Sequence, residues 1–425
     1  MKTFASLLYL KMSSAATAAA TATAATATAT AAISVPKRLN YIGSKFQLLD
    51  WITSTMNTKT GLFDRGRDGS AGSAGSAGSA RSSGSSVVTF ADIFAGTGIV
   101  SYHFRTKYGA KVISNDAELY SSIITHAFTC SVYNNKCKSV IAMLCAELEA
   151  KRYVSGGGGG VGVGFVTRNY SPYEGNERMF FTVDNAQRID YVRKRLEEFK
   201  VQSGDGGGGV GLSDDEYKFI LASILISADN VSNVPAVYGC YLKKFKAKAI
   251  RPFIIEPIHK HTKPCVAGSR TYCSDVLSSA FLSDAAFAGT DITYIDPPYN
   301  ERQYSKNYFP LNIIAKPPQQ LVSMSEAPVL KGKTGIPADC FISPFCKRGG
   351  GVCEAAFDKL FRELKTKWIF LSYNSESILP KEKMLEIMGR YGVASVEECD
   401  YKRFKSFKYN GDLEIKEYLF CLRKS

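Results

Sequence analysis

Apolar residues are arranged in short runs that alternate with stretches of helical spacing. Segment 86–96 is a nearly continuous apolar run that ends in a glycine-containing turn, and segments 110–116 and 291–298 have the same form. Segments 99–108 and 117–136 instead spread their apolar residues at the period of an amphipathic helix. Alternation of buried strands with helices predicts an α/β fold built on a parallel, doubly wound sheet.

The last part of the chain adds a different element. Helix 354–366 precedes a strand at 367–374, and helix 381–392 is followed by two strands at 393–401 and 414–423. A polar, basic loop joins these last two strands, which predicts an antiparallel hairpin. We therefore expect a mixed sheet with a terminal antiparallel hairpin.

The middle of the chain breaks the alternation. Residues 165–265 contain a charged helix, an apolar helix at 215–232 and a basic stretch at 241–251. This pattern predicts an inserted region. The chain thus divides into a low-complexity N-terminus and three structured parts, with boundaries at 1–35, 36–150, 165–265 and 266–425.

Several segments are too simple in composition to fold on their own. Residues 1–35 form an acid-poor Ala/Thr tract, which predicts a disordered tail and also resembles an organelle transit peptide. Loop 61–86 contains a Gly/Ser/Ala repeat, and 155–164 and 203–211 are glycine-rich. None of the three has the strand before it and the helix after it that a phosphate-binding loop requires.

Composition narrows the class of partner and the compartment. The chain has 425 residues, with 53 basic and 39 acidic residues and a net charge of +14, which indicates a polyanionic partner, although ribosomal or membrane-surface binding fits the charge equally well. Eleven cysteines form no Cys-x-x-Cys pair and there are four histidines, so we expect reduced thiols and no metal. No apolar run approaches a membrane span. An intracellular protein is expected, cytoplasmic or nuclear, and the N-terminal tract leaves an organelle open.

The turn after the first strand is a candidate ligand site. In the sequence Asp-Ile-Phe-Ala-Gly-Thr-Gly at 92–98, Gly96 and Gly98 let the backbone approach a ligand closely. The next strand ends at Asp116, whose carboxylate can accept hydrogen bonds from both ribose hydroxyls of a nucleoside-like cofactor. The alternative role of Asp116 is to cap the helix that follows it.

A second candidate site follows the strand at 291–295. Asp296 precedes two prolines, which cannot extend a strand ladder and hold the carbonyls rigidly where the strand ends. Tyr299 adds an aromatic face. The alternative is a proline-stiffened turn capped by Asp296.

Segment 40–45, Asn-Tyr-Ile-Gly-Ser-Lys, precedes a helix at 46–56. Lys45, with Tyr41 beside it, can reach a carboxylate of a ligand. The alternative is a capping turn with Ser44 as the N-cap.

The motifs NYIGSK, DIFAGTG, ND and DPPY occur in the order found in adenine-specific DNA methyltransferases of the restriction–modification type and their viral relatives. The chain resembles that family over most of residues 36–425. The resemblance implies a class I, Rossmann-like methyltransferase fold that uses S-adenosyl-L-methionine. Residues 36–150 would form its cofactor-binding half, 165–265 its target-recognition region and 266–425 its catalytic half.

The resemblance also assigns roles to residues. Asp296 and the Pro297 carbonyl would orient the adenine amine, and Tyr299 would stack on a base rotated out of the duplex. Asp275 would meet the adenine of the cofactor, with a helix cap as the alternative. The catalytic candidates are Asp296, Pro297, Pro298 and Tyr299. The cofactor candidates are Tyr41, Lys45, Asp92, Phe94, Ala95, Gly96, Thr97, Gly98, Asp116, Asp275 and Asp296.

Basic residues interleaved with aromatics suggest where DNA binds. Tyr304 and Tyr308 could add a second stacking surface or belong to the core, and any single lysine could belong to a solvated face. The DNA-binding candidates are Lys243, Lys244, Lys246, Lys248, Arg251, Tyr304, Tyr308, Lys402, Arg403 and Lys405.

The function expected from the motifs is N6-adenine methylation of duplex DNA by a monomer, with a cognate restriction endonuclease left open as a partner. The alternatives are methylation of RNA adenine or of protein glutamine, and an inactive DNA-binding relative. Asp296 in place of Asn argues against the glutamine enzyme. An inactive relative would have lost Asp296 or Gly96, and both are present.

Overall fold

The structure, a computed structural model, describes most of the chain after the Ala/Thr tract. The described residues are 36–39, 41, 43–63, 87–154, 163–200, 211–287, 289–322, 328–402 and 414–425. The predicted tail 1–35 lies outside them, as do almost all of the three glycine-rich loops.

Nine strands and fourteen α-helices are found in these described residues, with four short 3-10 turns. The strands are β1 Thr89–Asp92, β2 Lys111–Asp116, β3 Arg270–Cys273, β4 Ile292–Ile295, β5 Leu330–Lys331, β6 Ile336–Pro337, β7 Trp368–Asn374, β8 Gly392–Lys402 and β9 Glu414–Lys424. The 3-10 turns are Lys45–Leu48, Tyr173–Gly175, Ala285–Phe287 and Pro344–Cys346.

The helices are α1 Leu49–Thr60, α2 Ile99–Tyr108, α3 Leu119–Thr129, α4 Asn135–Glu149, α5 Phe165–Tyr170, α6 Val183–Glu198, α7 Asp214–Asn230, α8 Ala247–Ile250, α9 Ser279–Leu282, α10 Tyr304–Asn307, α11 Phe309–Ala315, α12 Pro318–Val322, α13 Val352–Glu363 and α14 Lys381–Gly389. Helix α2 has the bounds that the spacing predicted.

Seven strands form one mixed sheet in the order β3-β2-β1-β4-β7-β9-β8. Strands β3, β2, β1, β4 and β7 are parallel to one another, and β9 pairs antiparallel with both β7 and β8. The predicted α/β class, parallel sheet and terminal antiparallel hairpin are confirmed. The strand β3 was not predicted, because its four residues are only partly buried and carry no continuous apolar run.

Neighbouring residues of the central strands point to opposite faces of the sheet, as the period of a strand requires. On one face Phe90 and Val112 pack in a cluster with α1 and α2. On the other face Ala91 and Ile113 pack in a cluster with α13 and α14. Both faces are therefore covered, which explains why these strands are apolar throughout.

A third cluster is helical. It contains buried residues of α3 and α4 together with those of α5, α6, α7 and α11. The middle region 165–265, predicted from its broken alternation, thus packs on helices that come from both sides of it in sequence.

The single helix predicted over 117–136 is two helices. Helix α3 ends at Thr129, and α4 begins at Asn135 behind Asn134, whose side chain accepts a hydrogen bond from the Cys137 backbone N–H. Asn134 is an effective N-cap because its short side chain satisfies an otherwise unpaired N–H. The prediction was wrong at this point because the apolar spacing continues across the break.

All eleven cysteines are free thiols in the structure. Within the described ranges, no helix has both the length and the apolar character needed to cross a membrane.

Substitution of Gly98, in the turn before α2, tests how tightly this turn packs against α3 in the third cluster. Gly98 has φ +71°, and a Cβ there would meet the Thr125 Cα at 2.9 Å, whereas Gly109 has φ +60° with nothing within 4 Å. Gly109→Ala should destabilise by about 1 kcal/mol through backbone strain alone. Gly98→Ala should lose about 2–4 kcal/mol, because crowding against α3 adds to that strain.

Urea unfolding of the two variants measures the difference between their free energies of unfolding. Equal losses would show that α3 gives way easily and that Gly98 has no packing role.

Candidate active site

The candidate site lies at the edge of the sheet where the parallel strands end. Strand β1 has β2 on one side and β4 on the other. The sheet is therefore extended to one side of β1 by β2 and β3 and then to the other side by β4, so the strand order reverses at β1. Ligands of open α/β sheets bind at such switch points. A cleft opens here, lined by residues that follow β1, β2 and β4.

The turn after β1 is held by the end of β2. The Asp116 carboxylate accepts hydrogen bonds from the Gly96 N–H at 2.8 Å and from the Glu118 N–H at 2.9 Å. Ala95 N–H donates to the Asn115 carbonyl at 2.9 Å. Asp116 therefore caps the turn before α3 and lines the cleft, whereas the N-cap position of α3 itself, the role given as the alternative for Asp116, is occupied by Glu118.

Gly96 and Gly98 have different roles. Gly96 lines the cleft with φ +53°, and a Cβ there would lie 3.1 Å from the Tyr41 hydroxyl. Gly98 is absent from the wall of the cleft and packs against Thr125 and Phe128 of α3. Gly98 was predicted to contact the cofactor, and the structure instead places it behind the turn.

Asp296, the acid after β4, contacts two side chains. One comes from a distant part of the sequence and the other from the same turn. The Lys45 ammonium lies 3.1 Å from Asp296 Oδ1, and the Tyr299 hydroxyl donates to the same oxygen at 2.6 Å. Lys45 also lies 4.5 Å from the centre of the Tyr299 ring, and its side chain is only 3% exposed. Both donors therefore engage Oδ1 of a carboxylate that lines the cleft.

Burial makes the acids of the cleft weaker than usual. It raises the pKa of Asp92 to about 7, helped by the nearby Asp296 and Asp116 charges and opposed by the Ser101 hydroxyl. Burial likewise raises the pKa of Glu118 to about 7, although Asn312 donates a hydrogen bond to it. A cationic ligand would stabilise the ionised form of both groups.

The pKa of Asp116, Asp296 and Glu417 is also raised, and burial is the main cause in each case. Lys45 opposes the shift for Asp296 and Glu417. One lysine thus faces several acids, so this part of the molecule favours positive charge although the chain as a whole is basic.

Two sets of aromatic rings line the cleft. Phe94 meets Phe345 edge-on with 5.2 Å between ring centres. In the second set, Tyr41 lies 5.3 Å from Tyr304 and stacks at 4.9 Å on Tyr308 of the core behind it. A planar heterocycle can pack against either set of rings.

Most of the predicted residues come together in this one cleft. Those that line it are Tyr41, Lys45, Asp92, Phe94, Ala95, Gly96, Thr97, Asp116, Asp275, Asp296, Pro297, Pro298, Tyr299 and Tyr304. Asp275 also accepts a hydrogen bond from the Leu277 N–H at 3.0 Å, which makes it a turn cap as well.

The sequence analysis missed other residues of the lining. Glu118 stands two positions after Asp116, and its place beside a predicted ligand carboxylate was a usable signal. Phe341, Ser343 and Phe345 come from a segment with no recognisable motif, and only the folding of that segment onto the turn after β4 brings them here.

Of the predicted DNA-binding residues that the structure describes, Tyr304 lines the cleft and the others do not. Lys243, Lys244 and Arg251 are exposed. The Lys246 ammonium donates to the Val234 carbonyl at 2.6 Å, and burial lowers its pKa. Tyr308 is 1% exposed and belongs to the helical core, which fits its structural alternative.

Three further predicted DNA-binding residues lie at or beyond the end of β8, and one lies on α8. Lys248 is half-buried on α8. Lys402 is the last residue of β8, and Arg403 and Lys405 lie outside the described residues.

Comparison with known proteins identifies the family of the chain. The model of the D12 class of N6 adenine-specific DNA methyltransferases matches residues 79–384. The Type II methyltransferase M.CviAII of Paramecium bursaria Chlorella virus 1 is 35% identical over 386 residues, which are 90% of this chain and 98% of the viral protein.

Two bacterial proteins are also similar. The Type II methyltransferase M.NlaIII of Neisseria lactamica is 31% identical over 87% of this chain and 93% of its own length. The Type II methyltransferase M.FokI of Planomicrobium okeanokoites is 30% identical over 79% of this chain and 48% of its own length. With the family match over most of the sequence and these similarities beside it, the chain belongs to the D12 class of N6 adenine-specific DNA methyltransferases.

Proposed function

We propose that the cleft binds S-adenosyl-L-methionine beside an adenine that has left the duplex, and that Asp296 orients the adenine amine. The observation that carries this proposal is the convergence of Asp296, Lys45 and Tyr299 with the Gly96–Asp116 turn on one cavity. We assign the sheet to the class I, Rossmann-like methyltransferase fold, which the strand order supports.

The carboxylates and aromatic rings that line the cleft fit a cationic nucleoside cofactor. Asp116 and Glu118 at the end of β2 are acceptors for ribose hydroxyls, and Phe94 and Phe345 offer a pocket for the adenine ring next to Asp275. Asp92 Oδ1 is buried with no hydrogen-bond partner among the described residues, so a donor from the ligand would satisfy it. When bound, S-adenosyl-L-methionine supplies an electrophilic methyl group on a positively charged sulfur.

Asp296 and the Pro297 carbonyl each accept one hydrogen of the adenine amine. Lys45 and Tyr299 hold Asp296 Oδ1 and so fix the orientation of the carboxylate. Oδ2 is then the oxygen that accepts from the amine. Two acceptors localise the lone pair of the nitrogen and stabilise the positive charge that develops on it. Asp296 can then take the proton that the methylated nitrogen loses.

Tyr299 combines two roles. Its ring provides a face for the flipped base, and its hydroxyl orients Asp296. The ring is itself fixed edge-on against Tyr373 with 5.4 Å between centres. Tyr304, which also lines the cleft, is the second stacking surface.

The helical region, residues 165–265, is the part that recognises the target. We assign residues 36–150 to cofactor binding, 165–265 to target recognition and 266–425 to catalysis. Lys243, Lys244 and Arg251 are exposed there and form no ion pair with any described residue, as expected of a surface that binds phosphates. Lys246 instead supports the fold of the basic segment.

The first test concerns the chemistry. Asp296→Ala should lose at least about 3 kcal/mol of transition-state stabilisation, roughly a hundredfold or more in rate, because a charged acceptor at a developing cation is removed. Single-turnover transfer of labelled methyl groups to unmethylated genomic DNA measures the rate, and sequencing for methylated adenine identifies the target.

The matched control is Asp358→Ala, which removes an acid from the outer surface of α13 where it pairs with Arg390. It should leave the rate unchanged. Activity of Asp296→Ala within a few-fold of the parent would exclude the amine-orienting role.

The second test concerns cofactor binding and pH. Asp92 and Glu118 have a pKa of about 7, so both lose charge as the pH falls through neutrality. Their carboxylates attract a cation only when ionised, so affinity for S-adenosyl-L-methionine should rise between pH 6 and pH 8. Glu118→Gln should reduce this rise, and adding Asp92→Asn should abolish it.

Calorimetric titration across the pH range measures these affinities. Gly96→Val and Asp116→Ala should both weaken binding at every pH. The valine would crowd the turn against Tyr41, and the alanine would remove the carboxylate that holds the turn. Affinity that is independent of pH in the parent, or full binding by both turn variants, would refute the cofactor assignment.

The third test concerns the flipped base. Tyr299→Ala should lose most of the roughly 1–3 kcal/mol that base–aromatic stacking contributes. Tyr299→Phe keeps the ring and should lose less, although it also removes the hydrogen bond to Asp296. A 2-aminopurine at the target adenine brightens when it leaves the stack and reports the step directly.

The parent should brighten the probe, the Phe variant should do so nearly as well, and the Ala variant should do so weakly. Equal behaviour of the Ala and Phe variants would remove Tyr299 from the base pocket.

A further inference from the structure

A small hairpin after the catalytic segment is not explained by the cleft. Strands β5 and β6 pair antiparallel, with Lys331 opposite Ile336, and a four-residue turn, 332–335, joins them. Gly332 and Gly335 have φ of +66° and +71°. A two-stranded ribbon of this size is not stable by itself, so its position must be determined by what it contacts.

Two side chains of the helical region hold the tip of this hairpin. The buried Tyr170 hydroxyl donates to the Gly335 carbonyl at 3.0 Å, and Arg178 Nε donates to the Lys333 carbonyl at 3.1 Å. A Cβ on Gly335 would lie 2.8 Å from Arg178 Cζ, so a larger residue there would displace the guanidinium from its present position. The hairpin is therefore fixed on the predicted target-recognition region.

The anchored tip exposes two lysines. Lys331 and Lys333 are exposed, and neither forms an ion pair within the described part of the chain. Lysines on the terminal strands and the preceding helix behave differently, since Lys381 and Lys416 both contact Glu398 at 2.8 and 3.0 Å. Unpaired lysines on a rigid turn are available to a polyanion.

The hairpin and the basic segment 241–251 are attached to the same short stretch of chain. Arg178 binds the hairpin tip, and the next carbonyl, that of Met179, accepts from Asn233 at 3.0 Å. Asn233 also accepts from the Lys246 N–H at 3.1 Å. The ring of Phe180 lies 5.1 Å from that of Tyr241 at the start of the basic segment.

The hairpin is also close to the cleft. Phe341 lines the cleft and follows Pro337, the last residue of β6, by four positions. An extended chain covers at most about 3.6 Å per residue, so the two lie within roughly 14 Å of each other. This distance is comparable to the width of the major groove, about 12 Å.

We propose that the hairpin 330–337 is a second DNA-binding element, in which Lys331 and Lys333 contact the phosphate backbone of the duplex whose base enters the cleft. This inference rests on the proposed DNA-binding role of the helical region. The anchors at Tyr170 and Arg178 position the two ammonium groups before DNA arrives, so little conformational freedom of the backbone is lost on binding.

Salt dependence of DNA binding tests this proposal without knowledge of the recognised sequence. The probe is a mixed-sequence 30-base-pair duplex, with affinity measured by fluorescence anisotropy over a range of salt concentrations. Each phosphate contact contributes about 0.9 to the slope of log affinity against log salt. Lys331→Gln with Lys333→Gln should therefore reduce the magnitude of the slope by about 1.8 and weaken binding at low salt roughly tenfold.

The matched control is Lys365→Gln with Lys367→Gln. These two lysines have the same spacing and exposure, but they precede the first residue of β7, about 20 Å from the edge where the cleft opens. This pair should leave the slope unchanged. Lys243→Gln with Lys244→Gln, in the basic segment, should reduce it as the hairpin pair does.

All three pairs should keep the thermal midpoint and the S-adenosyl-L-methionine affinity of the parent, because the side chains are exposed. A slope unchanged in the hairpin pair, or an equal change in the control pair, would overturn the hairpin assignment while leaving the basic segment in place. A parent that binds the duplex without salt dependence would instead refute the proposed DNA surface as a whole.

Discussion

The site depends on the carboxylate of Asp116, which binds the backbone of two turns at once. By accepting from the N–H groups of Gly96 and Glu118, it joins the end of β1 to the start of α3. The turn after β1 needs this support, because Gly96 and Gly98 both have positive φ and glycine gives the backbone no rigidity of its own. The neighbouring Asn115 extends the connection, since its side chain binds the Ile93 and Ser274 backbone.

The electrostatics of the cleft follow from where these strands end. Several acids share one partly enclosed space, and Lys45 is the cation that the described structure brings to Asp296. Burial without full pairing raises the pKa of such groups and makes the site favourable for positive charge. In the proposed function, a sulfonium cofactor and an amine that becomes cationic during reaction would both meet that requirement. The acids would then favour the same charge at the start of the reaction and in its transition state.

The surface proposed to face DNA has the opposite character. Lys243, Lys244, Lys331 and Lys333 lack ion-pair partners in the described residues, whereas many lysines elsewhere contact a carboxylate. A basic exterior around an acidic cleft separates two tasks. The exterior would bind any stretch of phosphate backbone, whereas the cleft would accept only a ligand whose charge and shape match its lining. The two surfaces meet where the chain leaves the hairpin 330–337 and enters the lining of the cleft at Phe341.

The sequence by itself determined the α/β fold class and most of the residues that line the cleft, because both depend on local patterns. Apolar runs identified the central strands, and glycines and prolines next to acids marked the ends of β1 and β4. The separation of α3 from α4 and the position of Gly98 behind the turn were decided by capping and packing, which apolar spacing does not report. Tertiary structure alone paired Lys45 with Asp296, which are 251 positions apart. It likewise placed Glu118, Phe341 and Phe345 in the cleft and anchored the hairpin to Tyr170 and Arg178, because long-range contacts follow from how elements pack and not from the residues beside them in sequence.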